Sequence, residues 1–210
     1  MPSRPDENLD QTFETIFAFL TSKDFLSRCG PGSDLPFFIS AFHPALQPRV
    51  DTLVPALATR LSNQGTSVLL LDLYDLTVEL LKNRNVDHVT NTNAWTRLLA
   101  KEATEPRDRY LQTMQSVADA ETHLVPLIKR KLEAAPCQIL LLTGVGLVFP
   151  FLRSHQVLEN LQKVTKRTPT VLFFPGDYTH VDGKGSHLKL FGTLPDDRYY
   201  RAFNIADFLA

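Results

Sequence analysis

Apolar runs of strand length that alternate with helical stripes predict an α/β fold. The sheet expected is mainly parallel, of about five strands, with helices on both faces. Two observations carry the prediction. Near-continuous apolar runs recur at 36–42 (PFFISAF), 67–75 (SVLLLDLYD), 138–146 (QILLLTGVG), 170–176 (TVLFFPG) and 187–192 (HLKLFG). Between several of them, apolar residues return at the three-to-four spacing of a helix with one buried face.

The elements follow in order. Leu9, Phe13, Ile16, Phe17 and Leu20 predict an amphipathic helix that begins near Asp6. Gly30, Pro31 and Gly32 close that region with a turn. The first strand is read at 36–42. Val50, Leu53, Val54, Leu57 and Leu61 then form a stripe ending at Gly65, with Pro55 inside it predicting a kink or a late start. The second strand is expected over Ser67–Asp75, followed by a helix over Leu76–Leu81.

From 83 to 135 the pattern changes. This stretch lacks β-rich runs and reads as a helical insertion, broken near Pro106 and at Pro126. It holds the single Trp, Trp95, and the basic run Lys129-Arg130-Lys131, which suits a solvated helix C-terminus. Beyond the third strand, a helix is predicted over Pro150–Leu161 with proline in its first turn. YYRAFNI (199–205) could add a sixth strand, placing Tyr199, Arg201, Phe203 and Ile205 on one face.

Length and composition bound the function. The chain has 210 residues, 43% of them hydrophobic and 21% charged, which suits one domain over 1–210. Its net charge of -1 supplies no global basic field, so direct DNA binding is disfavoured. Two separated cysteines, Cys29 and Cys137, make no disulfide framework. The polar N-terminus resembles no signal peptide, and no apolar stretch approaches the roughly 20 residues that span a bilayer. These features predict a cytoplasmic protein.

The candidate site residues cluster at the ends of the later strands, where open α/β sheets place binding groups. Gly144 and Gly146, in TGVG, could offer amides to an anion, or could simply make a tight turn. A dinucleotide fingerprint needs a third glycine where Phe149 stands, and Pro150 lacks an amide donor. No GxxxxGK(S/T) occurs, and the loop after the first strand reads FHPALQPR. The order of elements is loosely like a P-loop NTPase without its phosphate loop. Asp72 and Asp75 close the second strand like magnesium-binding acids, but without a phosphate-gripping lysine a helix cap is the better reading. Arg153 could pair with a partner's carboxylate or a phosphate, or could fix its own loop. His155 reads as structural, and Ser154 beside it makes no triad. His180, Asp182 and His187, in HVDGKGSH, match no recognised metal spacing. Pro175 and Gly176 shape the fourth strand's end. Tyr178, Tyr199, Tyr200 and Arg201 are of the types favoured as interface anchors.

The blocks GVGLVFPFLRSHQVLENLQ, PTVLFFPGDY, LKLFG and YYRAFNI resemble the small BrxB family, a component of BREX bacteriophage-exclusion systems. PFFISAF and LLLDLYDL fit the same family in order. The family pattern covers Gly144, Gly146, Pro150, Arg153, Ser154, Pro175, Gly176, Tyr178, Leu190, Phe191, Gly192, Tyr199, Tyr200, Arg201 and Phe203. The resemblance implies a phage-defence role beside a methyltransferase, a large ATPase and an alkaline-phosphatase-like protein. It implies an adaptor, with no catalytic residue, no metal and no cofactor. The expectation is a non-enzymatic adaptor docking other BREX proteins through Arg153, Tyr178, Tyr199, Tyr200 and Arg201. A ligand or nucleotide sensor using the strand-end cleft from Gly144 to Arg153 is the alternative.

Overall fold

The computed structural model describes residues 8–23, 25, 37–87, 89–165, 168–181, 185–195 and 202–208. Its centre is a parallel sheet built from β1 (Phe37–Phe42), β2 (Val68–Asp72), β5 (Ile139–Thr143), β6 (Thr170–Val181) and β9 (Phe203–Asn204). Their order across the sheet is β2-β5-β6-β1-β9, and each pair runs parallel. The predicted α/β class and mainly parallel sheet therefore hold.

Strand alternation divides the core. On one face, Phe37, Ile39, Leu71, Leu140, Leu142, Leu172 and Phe174 pack under α3 (Leu73–Asn83), α6 (Val125–Ala134) and α7 (Ser154–Val164). On the other, Phe38, Ile139, Leu141, Val171 and Phe173 pack under α1 (Leu9–Leu20) and α2 (Gln47–Asn63). The central strands are thus buried on both sides, which explains their unbroken apolar sequence. On the second face Phe19, Phe25, Phe38, Phe203 and Phe208 form an aromatic cluster with ring centroids 5.2–6.1 Å apart. Outside it, Arg60 of α2 grips Glu14 of α1 through two hydrogen bonds and lies over the Phe17 ring.

Several boundaries differ from the sequence reading. β2 ends at Asp72, and Leu73–Asp75 already belong to α3, because the Asp72 side chain caps that helix. α2 runs through Pro55 without interruption, since that residue lies on the solvent side. α7 begins at Ser154, not at Pro150. Pro150 sits instead in the preceding turn, after a cis peptide bond with Phe149. β6 continues past Pro175 and Gly176 and pairs antiparallel with β7 (Gly185–Leu190), which pairs in turn with β8 (Leu194–Pro195). His180 and His187 therefore stand on paired strands rather than in a loop; Asp182 lies outside the described residues.

Within 83–135, α4 (Ala94–Glu102) and α5 (Arg107–Val117) meet the helical expectation, and the break falls at Pro106. A polar hairpin of β3 (Asn85–Asp87) and β4 (Thr92–Asn93) was not expected. Pro126 opens α6 rather than breaking it, after a π turn over Ala120–Leu124 capped by Asp119. At the far end, among the described residues, Phe203–Asn204 form strand and Ile205 starts a 3-10 turn, so the proposed strand face does not extend past Phe203 to Ile205. Tyr199, Tyr200 and Arg201 lie outside the described residues.

Among the described residues, Glu14, Asp87, Glu105 and Asp119 have carboxylates held below their ordinary range. Side-chain hydrogen bonds lead in each case: Arg60 to Glu14, Thr90 to Asp87, Lys101 to Glu105 and Thr122 to Asp119. A lowered folded-state pKa means that the unfolded chain binds more protons in the acid range. Stability from these groups is present above about pH 4.5 and is lost as pH falls through their folded values. Urea melts should therefore shift to lower midpoints between pH 5 and pH 3, roughly the carboxylate range. A midpoint constant over that interval would contradict the hydrogen-bond assignments.

Candidate partner edge at the carboxyl ends of the strands

The carboxyl ends of β2, β5 and β6 form one edge, and Asp72 is its centre. Its Oδ1 accepts from the backbone N–H of Tyr74 (2.8 Å) and of Asp75 (3.1 Å). Its Oδ2 accepts from the Thr143 hydroxyl at 2.8 Å, across from the neighbouring strand. The helix-capping role expected of Asp72 is thus present, with a second bond that sequence spacing could not show. Gly144 follows at φ +80, and a Cβ there would lie 2.6 Å from Asp72 Oδ1. Glycine is needed twice over, for the backbone conformation and for the space that the carboxylate fills.

The next turn is locked by packing. A Cβ on Gly146 would come 2.9 Å from the Phe191 ring and 3.1 Å from Pro175. Phe191 also meets Phe149 edge to face, at 6.3 Å and 87°. Phe191 and Gly192 both have positive φ, 56° and 68°, in the tight turn between β7 and β8. Thr193 N–H closes that turn on Leu190 O at 3.2 Å. Positive φ is costly for an aromatic residue, and the ring's seat against Gly146 and Pro175 holds it there. Beside it, Gly176 lets β7 approach, since a Cβ would fall 2.2 Å from Lys189 O.

The residues expected to bind partners separate in this frame. Arg153 occupies the cap position before α7, in extended conformation, with an exposed side chain. Tyr178 is half-buried against the core, and its hydroxyl donates to Ala202 O at 2.9 Å, tying β6 to the segment that enters β9. Pro175 is buried and Pro150 exposed. The side chains of Ser154 and His155 are not described. Among the described residues, no group of three His, Cys, Asp or Glu is placed to hold a metal.

Sequence reasoning missed the exposed apolar side chains of this edge. Leu147 is 52% exposed, Tyr74 43%, Leu194 37% and Phe191 36%. Leu147 lies inside an apolar stretch and was not among the candidate residues. Its one sequence signal is position: it follows Gly146, in the turn rather than the strand. Leu147 and Tyr74 flank an open cavity of about 470 Å³, lined also by Asp51, Asp72, Asp75 and Thr143. Three carboxylates and no cation line it, a setting unfavourable to phosphate.

Comparison with known proteins places this edge in a family. The family model of BREX protein BrxB matches residues 69–205. The chain belongs to the BrxB family. It is 32% identical to a BREX protein BrxB of Bacillus cereus (strain H3081.97), over 97% of this chain and 98% of that one. It is 24% identical to a BREX protein BrxB of Escherichia coli O9:H4 (strain HS), over 95% and 92%. No solved structure matches it. The matched span holds every loop of the carboxyl edge, from Asp72 through the turn at Phe191.

Replacing Gly144 tests the Asp72 lock against a built-in control. Gly65 also has positive φ (85°), but nothing lies within 4 Å of its Cβ position. Gly65→Ala should cost about 1 kcal/mol, the conformational penalty alone. Gly144→Ala should cost about 2–4 kcal/mol, because it also displaces the capping carboxylate. Equal costs in chemical denaturation would mean that Asp72 yields freely and locks nothing.

Proposed function

We propose that this chain is a non-enzymatic adaptor of a BREX anti-phage system, working in the cytoplasm and docking other BREX proteins through its carboxyl edge. The observation that carries the reading is the exposure of Leu147, Tyr74, Phe191 and Leu194 on a backbone held rigid by Asp72, Gly146 and Pro175. Preorganised apolar groups bind without a large ordering cost. Arg153, exposed near the same turn, adds a guanidinium suited to a partner carboxylate. Membership of the BrxB family supports the BREX setting. The alkaline-phosphatase-like protein and the large ATPase are the partners proposed. Among the described residues, no helix is long and apolar enough to cross a membrane.

A ligand sensor at the strand-end cleft is the second reading, favoured by the cavity of about 470 Å³. Its carboxylate lining suits a cationic or neutral ligand better than a nucleotide. A saturable thermal shift that survives Leu147→Asp would support it.

The adaptor reading predicts stoichiometric recovery of another BREX component with tagged protein from cells expressing the neighbouring operon. Leu147→Asp and Arg153→Ala should each cut recovery at least tenfold, with thermal midpoints within a few degrees of wild type, as expected for exposed sites. Tyr178→Phe separates the tie to Ala202 from docking: it should lower stability by about 1 kcal/mol and leave recovery intact. Normal recovery and normal phage restriction by both edge variants would overturn this placement of the surface.

A further inference from the structure

The geometry points to a second binding site, in the 83–135 segment, for a small ligand bearing several phosphates. The end of α3, strand β3, α4 and α5 border an open cleft of about 640 Å³, within the size range of cofactor and nucleotide pockets. Arg84, Arg97, Lys101 and Arg109 line it, and no carboxylate does. This cationic lining occurs in a chain of net charge -1. The charge is therefore sorted to this cavity, in contrast to the acidic cleft at the sheet edge.

The nearby acids, Glu105 and Asp87, offset part of that charge and leave the lining net positive. Glu105 is paired with Lys101, four residues earlier, and also feels the Arg109 charge. Asp87 feels Arg97, but its carboxylate accepts hydrogen bonds from the Val89 and Thr90 amides. Arg84 is half-buried and donates one N–H to Val117 O at 2.7 Å, which fixes its guanidinium and leaves further donors. Among the described residues, neither Arg97 nor Arg109 is in an ion pair, and both are exposed. Asn85, Gln112 and Ser116 add neutral donors to the lining. Guanidinium groups shed water easily and match phosphate oxygens bidentately. Three of them around one cavity repel one another until an anion sits between them. This inference does not rest on the adaptor reading and uses none of its residues.

Isothermal titration of the full chain at about 50 mM salt, where screening is weak, tests it. The probes are inorganic tripolyphosphate, ATP and a short oligothymidylate. Tripolyphosphate and ATP should each bind one per chain, and more weakly as salt rises. The double variant Arg97→Gln/Arg109→Gln should lose about a hundredfold in affinity, two charge-assisted contacts at tenfold each. Arg107→Gln, which removes a cation on α5 outside the lining, should change little. ATP binding more tightly than tripolyphosphate would make the ligand a nucleotide; equal binding would make it polyphosphate alone. Both support the site. Circular dichroism melts check folding, and Arg97→Gln alone carries the test if the double variant melts early. Three results overturn the proposal: no saturable heat with either small anion up to about 1 mM, the weakest affinity of use here; undiminished binding by the folded double variant; or an oligothymidylate affinity tenfold above that for ATP, which would reassign the site to nucleic acid.

Discussion

Most of the carboxyl edge depends on where one carboxylate sits. Asp72 ends β2, caps α3, receives the Thr143 hydroxyl from β5 and occupies the space above Gly144. Each contact is ordinary, since a cap or a charge-assisted hydrogen bond contributes about 1–2 kcal/mol. Their convergence matters more than their size. The chain direction after β2 and after β5 is set by the same two oxygens, so neither loop can shift alone. An isosteric Asn could keep the two amide contacts through its oxygen, but would present an NH2 group where Thr143 now donates.

The glycines of the later blocks have a common explanation in this edge. Gly144, Gly146 and Gly176 are each met by a group from another segment: the Asp72 carboxylate, the Phe191 ring and the Lys189 carbonyl. Phe191 completes the arrangement at the cost of a positive φ, so its conformation and the bare surface of Gly146 require each other. GVG, PG and FG are thus interlocked parts of one structure, which accounts for their occurring together. The exposed residues beside them, above all Leu147 and Arg153, are the ones proposed to meet a partner.

The fold was legible in the sequence because buried parallel strands have an unmistakable composition. Boundaries were less so, for particular reasons. LLLDLYDL is apolar whether extended or helical, and only the capping geometry of Asp72 puts the switch at Leu73. Pro175 and Gly176 carry the sequence marks of a turn, yet Pro175 is paired with Phe42 in the parallel ladder and Gly176 with Leu190 in the antiparallel one. Proline at 150 imitated a helix start, whereas α7 waits for Ser154. The β3–β4 hairpin is built mainly from Asn, Asp and Thr, with Val86 its single apolar strand residue, so periodicity had nothing to detect. Of the candidate residues, Gly144 and Gly146 could be recognised as turn-forming from sequence, whereas Pro175 and Gly176, expected in a loop, belong to β6. The half-burial of Tyr178 against Ala202, a contact 24 positions along the chain, could not.

Net charge concealed the other organising feature. A value of -1 argued against a global basic field and left a local patch open. Charge acts locally, however, because salt screens it within about 10 Å. The sheet edge gathers Asp51, Asp72 and Asp75 around one cavity, while the 83–135 segment gathers Arg84, Arg97, Lys101 and Arg109 around another. Sequence order hides both groupings, since each is assembled from separate elements. The acidic cavity suits the cationic or apolar contacts of the proposed partner, and the basic one suits the proposed anion. The two linings share no residue, so the proposed partner and the proposed anion would not compete for the same side chains.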